Sequence, residues 1–215
     1  MNETVIIYVM ELIGTIAFAI SGALIAVRRS LDLFGVVLVG SITSVGGGIM
    51  RDLFLGKFPP NIFSNVIVLI IAAITAIVVF VISYFNVNKF ESFEKRIESI
   101  NNFFDAVGLA TFSAIGTEMA CELGFYDMAI FSISMGMLTG IGGGIIRDIL
   151  VDSTPYVLKK HIYALASIIG STIYYLIRIN GNKIVALIVS IPIIVVIRLL
   201  AAKYHWKLPK INLKN

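Results

Sequence analysis

Seven stretches of mostly apolar residues, each roughly 20 residues long and set apart by short polar breaks, decide what this chain can fold into. They fall at about Val5 to Val27, Phe34 to Leu55, Ile62 to Phe85, Phe103 to Leu123, Met128 to Val151, Ile162 to Ile179 and Ile184 to Ala202. A helix needs roughly 20 such residues to cross about 30 Å of hydrocarbon. Hydrophobic residues are 58% of the 215 and charged residues 14%, with a mean hydropathy of +0.96, more than a soluble core requires. The expected fold is therefore an all-α membrane protein with seven transmembrane helices. The first stretch lacks the basic lead-in and small-residue cleavage site of a signal peptide and carries Glu11, so it reads as a retained helix.

Catalytic chemistry finds little to work with. Cys121 is a single cysteine, His161 and His205 sit near helix ends as interfacial residues, and no cluster has metal-ligand spacing. No nucleophile triad or phosphate loop occurs, so neither an enzyme nor a cofactor or resident metal is expected. The net charge of +4 raises the question of nucleic acid, but the distribution of the charges answers it otherwise. Sorted by alternating sides of seven helices, 13 of the 17 Lys and Arg fall on one side and 4 on the other. The positive-inside rule then puts the N-terminus outside and the C-terminus in the cytoplasm, so the basic excess records topology and contact with membrane lipids. The C-terminal "LPKINLKN" reads as a flexible tail.

Self-comparison reveals a repeat. Gly46, Gly47, Gly48, Ile49, Arg51, Asp52 and Pro59 match Gly142, Gly143, Gly144, Ile145, Arg147, Asp148 and Pro155 at an offset of 96. In the preceding helices Glu11, Gly14, Phe18 and Gly22 match Asp105, Gly108, Phe112 and Gly116 at an offset of 94. Three helices per repeat is an odd number of crossings, which turns the second repeat upside down. The expected organisation is a first three-helix repeat over 4–85, a cytoplasmic linker over 86–102, an inverted repeat over 103–180, and a seventh helix with a basic tail over 181–215. Inverted repeats with discontinuous helices commonly place a substrate or ion site near the bilayer midplane.

Three consecutive glycines cost roughly 1 kcal/mol each in a helix interior relative to Ala. Two uses would justify them: a break that bares carbonyls to a pore or watery cavity, or close packing of helices through small residues. Gly46 to Gly48 and Gly142 to Gly144, with the hydroxyls of Thr43, Ser44 and Thr139, are the candidate pore and kink residues, expected on the second and fifth helices. About a turn beyond each triplet stand Arg51 with Asp52 and Arg147 with Asp148. Neighbours on a helix point about 100° apart, so neither pair is expected to satisfy itself. Each Arg would cap freed carbonyls or pair with an acid from another helix, and each Asp would tune cation entry; a structural charge network is the alternative. Glu11 and Asp105 would pair with those arginines or attract cations at opposite mouths. Phe18 and Phe112 read as core. Glu118 and Glu122, one turn apart, read as a solvated helix end or a shallow acidic vestibule.

The doubled "GGGIMRD" and "GGGIIRD", with a "GTIAFAISGALIA" first helix, resemble the trimeric intracellular cation (TRIC) channel family in its prokaryotic branch, whose repeat is also catalogued as a glycine-transporter-type domain. The resemblance implies a homotrimer with an hourglass pore for monovalent cations in each subunit, chiefly potassium with some sodium. It also implies bends at the triplets of the second and fifth helices. Animal members carry basic residues in the fourth helix that are linked to voltage response; Phe103 to Leu123 has no Lys or Arg, so that property is not carried over. A secondary transporter for a small amino acid such as glycine is the competing function, since inverted repeats serve alternating access equally well.

Overall fold

The protein is seen here as a computed structural model that describes residues 3–86, 94–159 and 162–206; His161 and the C-terminal "LPKINLKN" lie outside the described residues. It contains eight α-helices among the described residues: α1 (Glu3–Arg28), α2 (Leu33–Phe54), α3 (Val66–Phe85), α4 (Glu94–Glu122), α5 (Ala129–Leu150), the short α6 (Tyr156–Lys159), α7 (Ile162–Arg178) and α8 (Lys183–Lys203). Five of these, α1, α2, α3, α5 and α8, are long and apolar enough to cross a membrane by length and composition. Residues 94–102, read from sequence as linker, form the first turns of α4.

α1, α2, α4 and α5 form the centre, with α1 packed on α4 and α2 on α5. α3 flanks α1 and α2, α7 flanks α4 and α5, and α8 closes against α4 and α7. The composition of each helix follows from this placement. α3 buries Val68, Ala72 and Ala76, a stripe at four-residue spacing, and turns Ile67, Ile70 and Ile74 outward. Lipid is as apolar as isoleucine, so small residues mark the packed face and large ones the lipid face. α4 is the opposite case. Helices surround it, its buried face includes Gly108, Ser113, Gly116 and Thr117, and it needs little apolar surface of its own.

The triplets mark where α2 and α5 cross. A Cβ on Gly47 would lie 2.0 Å from the Thr139 carbonyl oxygen, and one on Gly143 would lie 2.1 Å from the Thr43 carbonyl oxygen. Residue 43 thus faces 143 while 47 faces 139, so the two helices cross antiparallel. A second reciprocal contact joins α1 to α4, where the Phe18 and Phe112 rings stack with centroids 5.4 Å apart. Each ring lies against the glycine preceding the other: Phe112 against Gly14 and Phe18 against Gly108. Both phenylalanines are core, as expected from the sequence.

α2 and α5 are helical without interruption from Leu33 to Phe54 and from Ala129 to Leu150. No break interrupts either helix, and close approach accounts for Gly47 and Gly143. The third glycines differ. The nearest atom to a Cβ on Gly48 would be Arg51 Nη2 at 3.7 Å. Gly47→Ala and Gly143→Ala should each lower the thermal unfolding midpoint in detergent, corresponding to about 1–3 kcal/mol of overpacking. Gly48→Ala should instead raise the midpoint, by up to about 1 kcal/mol of helix preference, because nothing crowds the added methyl.

Candidate functional site

Each glycine helix ends in the same way. Past α2, Lys57 N–H donates to the Asp52 carbonyl and Gly56 N–H to the Leu53 carbonyl; past α5, Ser153 N–H donates to the Asp148 carbonyl and Asp152 N–H to the Ile149 carbonyl. These are Schellman caps, and their left-handed residues are Gly56 at φ 71 and Asp152 at φ 51. The aspartate side chains then hold the chain as it returns. Asp52 Oδ2 accepts the Asn61 N–H at 2.9 Å, where a 3₁₀ turn (Asn61–Phe63) begins. Asp148 Oδ2 accepts the Tyr156 N–H at 2.6 Å, at the first residue of α6.

The other carboxylate oxygen takes the arginine next door. Arg51 Nε and Nη2 donate to Asp52 Oδ1 at 2.9 and 2.8 Å, and Arg147 Nε donates to Asp148 Oδ1 at 2.9 Å. This corrects the sequence expectation that the adjacent residues would not satisfy each other. An angular separation of about 100° keeps short side chains apart. Arginine is long enough to lap around the final turn, and each aspartate is held in place there by the backbone beyond the helix.

From this common frame the two ends diverge. Arg147 also reaches Asp105 Oδ1 at 2.7 Å and Ser21 Oγ at 2.9 Å, the partnership across helices anticipated for the arginines. Ser21 Oγ donates in turn to Asn101 Oδ1. Asp105 gathers Arg198 Nη2 at 3.4 Å and the Tyr163 hydroxyl at 3.3 Å, while the Arg198 guanidinium lies 4.4 Å from the Tyr163 ring centroid. Arg147, Asp105, Asp148 and Arg198 are all at most 3% exposed, so two acids and two bases balance inside the protein. Buried charge is tolerable when balanced and hydrogen-bonded in this way.

At the α2 end Arg51 has Asp52 alone as its ion-pair partner among the described residues. Glu11, the repeat mate of Asp105, has no hydrogen bond or ion pair there. It lines a cavity of about 30 Å³ with Thr15, Ser44, Gly48, Arg51, Asp52 and other residues, and Phe112 closes one wall. Near the α5 end a wider recess of about 420 Å³ is lined by Arg28, Arg29, Asn101, Asp148 and Tyr156 among others. Ser44 Oγ lies 3.0 Å from both the Thr15 and the Gly40 carbonyl oxygens. Thr43 and Thr139 are fully buried, donate to the Val39 and Met135 carbonyls, and fill notches at Gly22 and Gly116.

A further ionic cluster joins the far end of α4 to α7 and α8. Glu118, 1% exposed, accepts the Tyr174 hydroxyl and Arg178 Nε, each at 2.8 Å, and pairs with Lys183 at 3.0 Å; Lys183 also bonds Glu122. The solvated helix end and the open acidic vestibule are therefore both wrong for Glu118. Its partners come from helices about 60 residues further on, beyond the reach of a local reading. Arg198 and Lys183 were likewise counted from sequence only as topology charges. Their position inside the seventh apolar stretch or at its edge was the signal that would have marked them as buried partners.

Cap geometry, crossing and charge together describe an all-helical membrane protein organised around two ion-paired helix ends. The glycine transporter family model matches residues 8–84 and 102–178. A prokaryotic TRIC channel crystallised in 0.5 M KCl is 36% identical, with a TM-score of 0.84 over 95% of this chain and 100% of its own. The TRIC trimeric intracellular cation channel orthologue of Rhodobacter sphaeroides is 27% identical, with a TM-score of 0.83 over 94% and 99%. The UPF0126 inner membrane protein YadS of Escherichia coli K12 is 36% identical over 95% of both chains. The chain belongs to the TRIC family, in its prokaryotic branch, whose repeat carries the glycine transporter description.

Both arginines answer buried carboxylates. Arg147→Ala would leave Asp105 and Asp148 with Arg198 as their remaining cation and should cost about 3–5 kcal/mol. Arg51→Ala breaks fewer hydrogen bonds but leaves Asp52, 2% exposed, with no ion-pair partner among the described residues, so a loss of the same order is expected. A loss below about 1 kcal/mol in thermal unfolding for either variant would contradict this reading.

Proposed function

We propose that this protein is a potassium-permeable channel for monovalent cations, working as a homotrimer with one pore inside each subunit. The observation that carries the reading is the antiparallel crossing of α2 and α5. It sets the Asp52 and Asp148 ends, each beside a polar opening, on opposite sides of one tight contact. An hourglass follows from that arrangement: a polar opening at each end and a constriction beside the crossing of Gly46 to Gly48 with Gly142 to Gly144. Hydroxyl, carboxylate and carbonyl oxygens near the constriction would replace part of an ion's hydration shell, weakly enough to let it leave.

In this reading the halves are inverted repeats, and α4 and α7 cross the bilayer with the five apolar helices to make seven spans. α2 and α5 bend at their triplets without losing helical hydrogen bonds. The N-terminus faces outside and the C-terminus the cytoplasm of a prokaryotic cell membrane, in line with the charge count. The reciprocal glycine contacts, the paired caps and the double match of the family model support the repeat. The trimeric name of the Rhodobacter sphaeroides relative supports the assembly.

The description of the family model favours a second reading, a secondary transporter for glycine or a similar small amino acid. Purified protein in planar bilayers separates the two. Unitary potassium currents far above any transporter turnover are expected. Saturable glycine counterflow without such currents would replace the channel reading, and a mass in detergent other than three 23.5 kDa subunits would replace the trimer.

A further inference from the structure

We infer that the cavity between Glu11, Thr15 and Asp52 is a binding site for one small monovalent cation, held directly by the Glu11 carboxylate and the Thr15 hydroxyl. As a station for the permeating ion the site rests on the channel reading; as a binding site it does not.

Two independent observations carry it. The first is charge. Arg51 gives Nε and Nη2 to Asp52, whose second oxygen is taken by the Asn61 N–H, so this pair is neutral overall and its guanidinium acts on Glu11 only from a distance, without a hydrogen bond or ion pair. The other elements around the cavity contribute Asn61 and Asn65 from the connection into α3, Val68 from α3 and Phe112 from α4, none of them charged. Glu11 is thus a half-buried carboxylate with no ion pair or hydrogen bond of its own among the described residues. A carboxylate in that setting calls for a counter-ion.

The second observation is the threonine one turn further along α1. Six other helical threonines, Thr43, Thr75, Thr111, Thr117, Thr139 and Thr172, return their hydroxyl to the carbonyl four residues back. Thr15 does not. Its Oγ1 is fully buried with no hydrogen-bond partner, on a residue that lines the cavity. Ser171 and Ser190 also bury a hydroxyl without a partner; Thr15 differs in lining a cavity that a carboxylate shares, where an oxygen ligand for a cation gives the missing bond a reason.

Size and donor type define the ion. About 30 Å³ holds one water-sized body, which suits sodium or potassium stripped of most of its shell. A divalent ion would ask for six or more oxygens and usually several carboxylates. The repeat-related position cannot serve in the same way, because Asp105 is already occupied by Arg147, Arg198 and the Tyr163 hydroxyl. The molecule therefore carries a cation site at one mouth and an internal guanidinium at the other.

The test uses the full-length protein in detergent, with the thermal unfolding midpoint followed as KCl or NaCl replaces N-methyl-D-glucamine chloride at fixed ionic strength. Wild type should show a saturable, ion-specific rise, since a ligand bound to the folded state alone stabilises it by mass action. Glu11→Gln should weaken the apparent affinity by roughly tenfold or more, as expected for a lost charged ligand. Thr15→Val should weaken it several-fold, and Glu11→Asp should retain part of it. No ion-specific rise in wild type, or an undiminished rise in both Glu11→Gln and Thr15→Val, overturns the site. Planar-bilayer currents keep the two readings apart: a Glu11-dependent rise without currents leaves the site and removes the channel, whereas currents without that rise do the reverse.

Discussion

A contact with no room for a methyl group organises the molecule. Where α2 crosses α5, Gly47 meets a backbone carbonyl of Thr139 and Gly143 meets one of Thr43, so side chains are excluded from both partners at once. Because the contact is reciprocal, it fixes the register of both helices, and the register fixes everything a turn further on. Arg51 with Asp52 and Arg147 with Asp148 are carried to opposite sides of the crossing. The same caps then turn the chain back at both ends. In lipid, close backbone approach replaces the hydrophobic drive that would hold such a pair together in water.

Much of this was legible in the sequence because repetition is a long-range signal that survives without an alignment. The offset of 96 ties the two triplets, the two Arg–Asp pairs and the two prolines together, and the offset of 94 pairs Phe18 with Phe112, which stack in the fold. Helix positions followed from apolar length. What glycine does at a given site was less legible, since a triplet fits a broken helix and a tight crossing equally well. The uninterrupted helices and the distances at Gly47 and Gly143 account for these residues as a crossing.

Partner choice among the charges was legible only in outline. Pairing of Arg147 with an acid on another helix was expected in kind, yet Ser21, Asn101 and Tyr163 carry no local mark of membership in its cluster, and the place of Arg198 inside an apolar stretch marks it as a buried partner without saying whose. Glu118 misled for the same reason. Its loop holds no cation, while Arg178 and Lys183 arrive from α7 and α8. The adjacent pairs misled in the opposite direction, because the helical-wheel angle ignores the length of arginine and the fixing of each aspartate by a backbone N–H.

The asymmetry between the halves has a structural origin in the odd helix. α1 to α3 and α4, α5 and α7 supply matching parts: an acid on the first helix, an Arg–Asp pair on the second, a flanking third. α8 has no counterpart among the described residues, and it packs on α4 and α7. From it comes Arg198, which balances the second half at two acids and two bases and takes up the second oxygen of Asp105. With no such helix against α1 among the described residues, the first half is left there with two acids, Glu11 and Asp52, and one base, Arg51. Two helix ends built on one pattern thus become unequal through one further helix. One end is internally neutral, and the other keeps a carboxylate with no ion pair of its own.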